Sequence, residues 1–199
     1  GGVGGGARDG AWRGKRGAWC DRLQANGTEV MAVVGAVKQA RQVVNSGIDL
    51  IVAQGHDGGG HNSPVGTMAL IPQVVDAIAG RIPVLGAGGI SDGRGIAAAM
   101  MLGAEGAWIG TAFLATDEAG IEDFQKEAIV ESGDGDTLVS RTVTGKPARI
   151  IRNKWSEAFV EAGLEPLPMP FQPMVAIPVL AAAAAVKRKD CARLLYTSS

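Results

Sequence analysis

The sequence has 199 residues, of which 46% are hydrophobic and 20% are charged, and its formal net charge at pH 7 is −1. That apolar fraction is enough to bury a core in one domain or in a large part of one. The near-neutral charge argues against a nucleic-acid-binding protein, which needs excess positive charge to neutralise phosphates, and no apolar run reaches the roughly 18 residues of a membrane span.

Two peripheral segments, residues 1–27 and 168–199, flank the regular part of the chain. The first shows no apolar periodicity, so we expect it to be poorly ordered, and it carries no signal-peptide pattern. Because the chain does not begin with methionine, we expect it to begin partway through a longer protein. Cys20 and Cys191 lie in these segments without metal-ligand spacing, which indicates a cytoplasmic protein with no metal site.

From Thr28 onward, apolar runs alternate with segments of helical spacing. The predicted strands are EVMAVV, IDLIVAQG, IPVLGAGGI and GAWIGTAFLAT, and the helices that follow them in turn are GAVKQARQVVNSG, TMALIPQVVDAIAG, SDGRGIAAAMMLG and IEDFQKEAIVESG. We expect Pro72 near a helix start or at a break between two short helices, and Ser91 or Asp92 as a helix cap. The region from SRTVTGKPARIIRNKW onward is mixed and then rich in proline and alanine.

Four strand–loop–helix units of about 25 to 30 residues predict a parallel α/β architecture. The strands are continuous apolar runs, as is typical of strands covered on both faces. Two arrangements are open at this point, namely a doubly wound sheet and a (β/α)8 TIM barrel. A complete barrel takes about 250 residues, so the barrel interpretation makes residues 28–167 roughly its C-terminal half.

Glycine-bearing loops follow three of the predicted strands, where ligand sites of parallel α/β folds lie. Gly88 and Gly89 stand directly before a predicted helix, and Gly110 and Thr111 end the next strand, so their amides and hydroxyl are suited to a phosphate group. The alternative is that these glycines only make tight turns. A dinucleotide fingerprint is disfavoured because Ser91 replaces its third glycine.

Both histidines of the chain lie in the loop AQGHDGGGH that follows the second predicted strand. A neutral imidazole there can accept a proton from carbon near pH 7, which makes His61 a candidate base and His56 its competitor. Asp57 either tunes one of them or caps a turn. The Gln54 amide both donates and accepts, which suits the polar edge of a ring-shaped ligand, although it could instead close the loop.

The motifs Ala53–His61, Ala87-Gly88-Gly89-Ile90 and Gly110-Thr111, in this order, together with SDGRGIAAAMMLGAEGAWIGTAFLAT and GKPARIIRN, resemble the nitronate monooxygenase family, formerly called 2-nitropropane dioxygenases. The resemblance covers roughly residues 30–167. Asp57 and Gly58 stand where the family has glutamate and alanine. The family's first half is not recognisable in residues 1–27, so we interpret the chain as a fragment in which that segment and the C-terminal end are foreign.

The resemblance implies an FMN enzyme on a TIM barrel, with a small-molecule substrate and oxygen as its partners, and it allows a homodimer. His61 would be the catalytic base that converts a nitroalkane to a nitronate, which is then oxidised to a carbonyl compound and nitrite. Gln54 and Gly59 would contact the flavin, and Gly88, Gly89, Gly110 and Thr111 its phosphate. The same motifs also resemble NAD(P)H-dependent flavin reductases (type II enoyl-acyl carrier protein reductases and NADH:quinone reductases), and an inactive fragment is a third alternative.

Overall fold

The computed structural model describes residues 16–186, 188, 190 and 191, and only the backbone of residues 16–19. The described residues form two compact units. Unit 1 contains the described residues up to Gly58 together with Ser63–Ile109, and unit 2 contains Gly59–Asn62 together with the described residues from Gly110 onward. Residues 1–15, for which we expect poor order, and the C-terminal residues 192–199 lie outside the described residues.

The helices and strands are numbered in chain order. The strands are β1 (Met31–Val34), β2 (Leu50–Gln54), β3 (Gly60–His61), β4 (Val84–Ala87), β5 (Gly106–Trp108), β6 (Thr137–Ser140) and β7 (Ala148–Ile151). The helices are α1 (Arg16–Gln24), α2 (Val37–Val44), α3 (Thr67–Ile78), α4 (Gly93–Met101), α5 (Thr111–Leu114), α6 (Asp123–Glu131), α7 (Lys154–Glu161) and α8 (Phe171–Ala185).

Unit 1 is a four-stranded parallel sheet in the order β1-β2-β4-β5, with a helix between each pair of neighbouring strands. Val33 lies opposite Val52, Val52 opposite Leu85, and Leu85 opposite Gly106. The spatial order follows the chain order without the reversal that defines a doubly wound sheet. This progression confirms the barrel-type prediction, and its four strands are half of the eight in a complete (β/α)8 barrel.

One face of this sheet is buried under the helices. Ile51, Ala53 and Val84 belong to the same buried cluster as Leu70 and Ile71 of α3. Each large aliphatic side chain buried in this way contributes about 1.5 to 3 kcal/mol to folding. Helix α3 also approaches β4 so closely that a Cβ at Gly86 would lie 2.6 Å from Cδ1 of Ile71. The helix layer therefore holds β2 and β4, the two strands that carry loops of the candidate site.

The other face of the sheet is partly open at both edges. Met31 and Val33 alternate along β1 with the inward-packed Ala32 and Val34, and they are 38% and 48% exposed. Trp108 at the end of β5 is 41% exposed. Parallel sheets are normally covered on both faces, so unit 1 by itself is a partial barrel.

Two local predictions differ from the structure, and the predicted cap of α4 is confirmed. The fourth predicted strand ends at Trp108, because the chain turns at Gly110 into the short helix α5. Pro72 lies inside the continuous helix α3 rather than at a start or a break. Asp92 caps α4, since its carboxylate accepts from the amides of Arg94 and Gly95 at 2.9 and 3.3 Å.

The N-terminal segment also differs from the prediction in its described part. Residues 16–24 form helix α1, although the sequence there shows no apolar periodicity. Cys20 is not peripheral but 4% exposed, and it packs in the hydrophobic core of unit 1. The burial of one small side chain gives no periodic signal, which is why the sequence pattern missed this helix.

Unit 2 contains the antiparallel sheet β3-β7-β6 and helices α5 to α8. Its larger apolar cluster joins Val143 and Ile150 to Ala176 and Leu180 of α8. The sequence did not predict the strands, which are two to four residues long, or α7 and α8. Among the described residues, no helix has both the length and the apolar character needed to cross a membrane.

Candidate active site

The loop after β2 leaves the sheet through a tight backbone contact. Gln54 ends β2 opposite Ala87 of β4, and the Gly55 amide donates to the Ala87 carbonyl at 3.1 Å. A Cβ at Gly55 would collide with the backbone and hydroxyl of Thr67 at the start of α3. Only glycine therefore lets the strand end pass directly beneath that helix.

Asp57 and His56 make contacts within this loop and with the start of α3. The Asp57 carboxylate accepts from the Thr67 amide at 2.8 Å, and this hydrogen bond, with a smaller contribution from the positive charge of His56, lowers the pKa of the Asp57 carboxyl. Nδ1 of His56 lies 3.0 Å from the Ser63 carbonyl oxygen. Asp57 therefore caps the start of α3, and it also interacts with the charge of His56.

The glycine loops that follow β2 and β4 are in direct contact. Gly88 has a φ of +105°, and a Cβ there would lie 2.7 Å from Oγ1 of Thr67 and 2.9 Å from the Gly58 amide nitrogen. A Cβ at Gly58 would in turn lie 2.9 Å from Nε2 of Gln54. The Gln54 amide therefore covers Gly58, and the two loops form one close-packed surface.

Gly89 continues the turn after β4 with a φ of +71°, and a Cβ there would lie 3.1 Å from Cβ of Asp57. Helix α4 begins only at Gly93. The prediction that Gly88 and Gly89 stand directly before a helix is therefore wrong. They are two consecutive left-handed residues in the loop between β4 and α4. Successive amides in such turns can point toward an anion.

His61 lies in unit 2, where β3 pairs it with Ala148 of β7. Its Nε2 is 2.7 Å from Oγ1 of Thr144, a side chain that is only 6% exposed. Burial, and after it the positive charge of Lys146, lowers the pKa of the His61 imidazole below its usual 6.5. His61 is therefore neutral at pH 7, which is the form that can accept a proton.

The lowered pKa of His61 predicts a pH dependence of stability. The unfolded chain binds a proton more readily than the folded chain, so the free energy of unfolding should fall as the pH drops below 6.5 and level off below the folded-state pKa. Urea unfolding at about pH 7.5 and about pH 5.5 measures this loss. A His61→Asn variant should lose less stability over the same interval, and an equal loss in both proteins would contradict the assignment.

The remaining predicted site residues lie in unit 2. Gly59 immediately precedes β3, Gly110 is the N-cap of α5, and Thr111 is the first residue of α5 rather than a strand end. A Cβ at Gly110 would meet no atom within 4 Å, so packing within the chain does not require glycine there. The structure thus places Gln54, Gly88 and Gly89 in unit 1, and Gly59, His61, Gly110 and Thr111 in unit 2.

Sequence reasoning missed Thr67, Thr144 and Lys146. Thr67 and Thr144 are buried hydroxyls, and threonine in a sequence gives no sign of burial or of its hydrogen-bond partner. Thr144 is 83 residues from His61 along the chain, so no local spacing connects them. In the part of the chain that the structure describes, no cluster of histidine, cysteine and carboxylate side chains could hold a metal ion.

Four parallel strands in barrel order, with a helix between each pair of neighbouring strands, define unit 1 as part of a barrel-type α/β protein. The chain belongs to the nitronate monooxygenase family, because the model of that family matches residues 14–198. It is 42% identical over 146 residues to a probable nitronate monooxygenase of Staphylococcus saprophyticus, covering 68% of this chain and 41% of the relative.

Two further relatives are named for other activities, one as a monooxygenase and one as a dehydrogenase. The chain is 44% identical over 153 residues to a putative monooxygenase of Mycobacterium tuberculosis, with 76% of this chain and 40% of that protein covered. A hydroxy-methyl-oxo-octahydroindene-carboxyl-CoA dehydrogenase of the same organism is 44% identical over 137 residues, with 68% and 39% covered. The chain therefore spans about 40% of the length of the curated relatives that it matches.

Two solved structures are similar to the fold. The nitroalkane oxidase from Streptomyces ansochromogenes has a TM-score of 0.78 at 33% identity, and the match covers 92% of this chain and 54% of that one. FabK from Thermotoga maritima has a TM-score of 0.73 at 35% identity, covering 90% and 56%. This chain thus has the fold of roughly half of each of these TIM-barrel enzymes.

Proposed function

We propose that this chain is the flavin-binding and proton-abstracting part of an FMN-dependent enzyme that oxidises alkyl nitronates, and nitroalkanes by way of nitronates, to carbonyl compounds and nitrite with oxygen. The observation that carries the proposal is His61, a half-buried imidazole whose lowered pKa keeps it neutral. Membership of the nitronate monooxygenase family and the similarity to a nitroalkane oxidase support the substrate class.

The proton-transfer step follows from the chemistry of His61. The carbon next to a nitro group is acidic, so a neutral imidazole can take its proton and leave the nitronate. Burial disfavours the imidazolium that forms, and Lys146 disfavours it further. His61 therefore releases the proton again readily, which returns the base to its neutral form for the next substrate.

The glycine turns support the assignment of FMN as the cofactor. Gly88 and Gly89 are consecutive left-handed residues that carry no side chain between their amides and a ligand, and Gln54 ends the adjacent strand β2. Gly59, Gly110 and Thr111 would contribute further backbone and hydroxyl donors. When bound, FMN would supply the electron acceptor for the nitronate and the reaction with oxygen.

Gly110 offers a test of the phosphate assignment that does not depend on turnover. Its backbone is not left-handed and a Cβ would meet nothing, so Gly110→Ala should fold normally yet weaken FMN binding about tenfold by filling space kept for phosphate. Quenching of FMN fluorescence measures the affinity. Gly120→Ala is the matched control, because a Cβ at Gly120 also meets nothing. Equal affinities in both variants would argue against the assignment.

The proposed function is tested by adding FMN to the purified chain and supplying an alkyl nitronate in air. We expect a yellow complex, oxygen consumption and one nitrite formed for each nitronate consumed. Protein that remains colourless after FMN titration contradicts the proposal and supports the inactive-fragment alternative.

A flavin reductase is the second candidate, because a relative named as a dehydrogenase is as similar to this chain as the monooxygenases are. Anaerobic mixing separates the two functions. Rapid bleaching of the flavin by NADH or NADPH, with none by nitronate, would favour the reductase. Bleaching by nitronate alone supports the oxygenase. The cytoplasmic location and the homodimer stay predictions.

A further inference from the structure

We infer that Thr144 is a positioning residue for His61, holding the proton of the neutral imidazole on Nε2 so that Nδ1 carries the lone pair of the base. The inference deepens the proposed function and rests on it for the role of His61 as a base. The hydrogen bond itself is a property of the folded chain alone, so it is tested independently of flavin and substrate.

The other contacts of the Thr144 hydroxyl favour one direction for this hydrogen bond. Oγ1 of Thr144 lies 2.7 Å from Nε2 of His61, 3.3 Å from the Lys146 carbonyl oxygen and 3.4 Å from the Lys146 amide nitrogen. A carbonyl oxygen only accepts, so this contact takes the single hydroxyl proton of Thr144 when the hydroxyl does not donate to His61. The lone pairs of Oγ1 then face two N–H donors, the Lys146 amide and Nε2 of His61.

Thr144 can position a ring because its own loop is held at several points. The Thr142 carbonyl accepts from Nε1 of Trp155 at 3.0 Å and from Nε2 of Gln172 at 2.6 Å. Gly145, with a φ of +76°, is packed so closely that a Cβ would lie 2.5 Å from the Leu167 carbonyl oxygen. The loop between β6 and β7 is therefore a fixed support.

The backbone of His61 is fixed by the same sheet. Gly60 and His61 pair with Arg149 and Ala148 of β7, and the Asn62 amide donates to the Pro147 carbonyl at 3.3 Å. Backbone pairing sets the position of Cα, and the contact with Thr144 then sets the rotation of the ring. A base oriented in this way loses little entropy when it meets its substrate.

The chemistry of proton uptake agrees with this assignment. If Thr144 donated to Nε2 instead, the neutral ring would carry its proton on Nδ1, and neither nitrogen would keep a lone pair for substrate. With Nε2–H donating to Thr144, Nδ1 can accept the proton. The resulting imidazolium still donates from Nε2 to the same oxygen, so the hydroxyl need not rotate during the step.

Three variants isolate the hydroxyl of Thr144. Thr144→Val keeps its shape and removes the hydroxyl, and Thr144→Ser keeps the hydroxyl. Thr142→Val is the matched control, because Thr142 is 4% exposed in the same loop and its hydroxyl accepts from Ser140 rather than from His61.

The direct readout is nitrogen and proton NMR of the imidazoles in the full chain, without flavin, at a pH above 7. The chain has two histidines, so His56 serves as an internal reference. We expect a protected Nε2–H proton on His61 in the wild type, in Thr144→Ser and in Thr142→Val. In Thr144→Val that proton should exchange with solvent at least about tenfold faster, with His56 unchanged.

A wild-type His61 protonated on Nδ1, or equal protection in Thr144→Val and the wild type, overturns the inference. The kinetic arm uses the FMN-loaded chain, where kcat/KM for a neutral nitroalkane should fall about tenfold in Thr144→Val and recover in Thr144→Ser. Nitronate oxidation should stay constant in both. If the NMR measurements show the expected Nε2–H proton but the wild type has no turnover, the proposed function is wrong and the hydrogen bond remains supported. Equal turnover by the wild type and Thr144→Val would instead contradict the positioning role.

Discussion

Replacing His61 with alanine should abolish turnover of neutral nitroalkanes and spare the oxidation of preformed nitronates. A positioned general base contributes about 10² to 10⁴ in rate, and only the nitroalkane needs its carbon proton removed. Nitrite release from each substrate in parallel assays, with the FMN-loaded chain, measures the difference. FMN affinity should stay near that of the wild type, which shows that the loss belongs to the proton transfer.

His56→Ala is the matched control for His61→Ala, because His56 is the other histidine of the chain and lies in the same glycine-rich loop. Its Nδ1 faces the Ser63 carbonyl and its charge acts on Asp57, which are contacts within the loop. We expect nitroalkane turnover within about tenfold of the wild type, since the loss of one loop contact costs about 0.5 to 1.5 kcal/mol. Equal losses from the two substitutions would refute the separation of their roles.

Gly88→Ala should be the most destabilising single substitution in the loop after β4. An alanine with a φ of +105° carries about 1 to 3 kcal/mol of backbone strain. Its Cβ would also meet Oγ1 of Thr67 at 2.7 Å and the Gly58 amide at 2.9 Å, so two loops must move apart. We expect a total loss of about 3 kcal/mol or more from urea unfolding, together with weaker FMN binding.

Gly80→Ala is the control that separates the backbone strain of a positive φ from the steric clash of the added Cβ. Gly80 also has a positive φ, of +71°, but a Cβ there would meet nothing within 4 Å. Its loss should therefore be limited to the cost of the left-handed conformation, about 1 to 2 kcal/mol. If Gly88→Ala were no more destabilising than Gly80→Ala, the close contact between the two glycine loops would not contribute to stability.

The repeating pattern of the sequence predicted the parallel part of the fold well. Apolar runs such as IDLIVAQG contain β2, and segments of helical spacing such as TMALIPQVVDAIAG contain α3, because burial on a sheet or on one helix face leaves a periodic record. The fourth strand was predicted too long, since the apolar residues from Thr111 to Leu114 fit a strand and a helical turn equally well.

Unit 2 was mostly beyond prediction from the sequence. Strands β6 and β7 have four residues each, too few to establish a period, and their pairing depends on partners elsewhere in the chain. Helix α8 contains Pro178, and a proline in the interior of a segment argues against a helix. Its buried residues Gln172, Ala176 and Leu180 recur every four residues, a spacing that becomes meaningful only once a packing partner exists.

The sequence by itself determined the order of the βα units, the glycines at the strand ends and the choice of two histidines, because each of these is a local matter of residue type and spacing. Only the tertiary structure determined what surrounds each histidine. It placed His56 against its own loop and His61 beside Thr144, 83 residues away. A pKa depends on burial and on neighbouring charge, and both are set by parts of the chain that the local sequence does not contain.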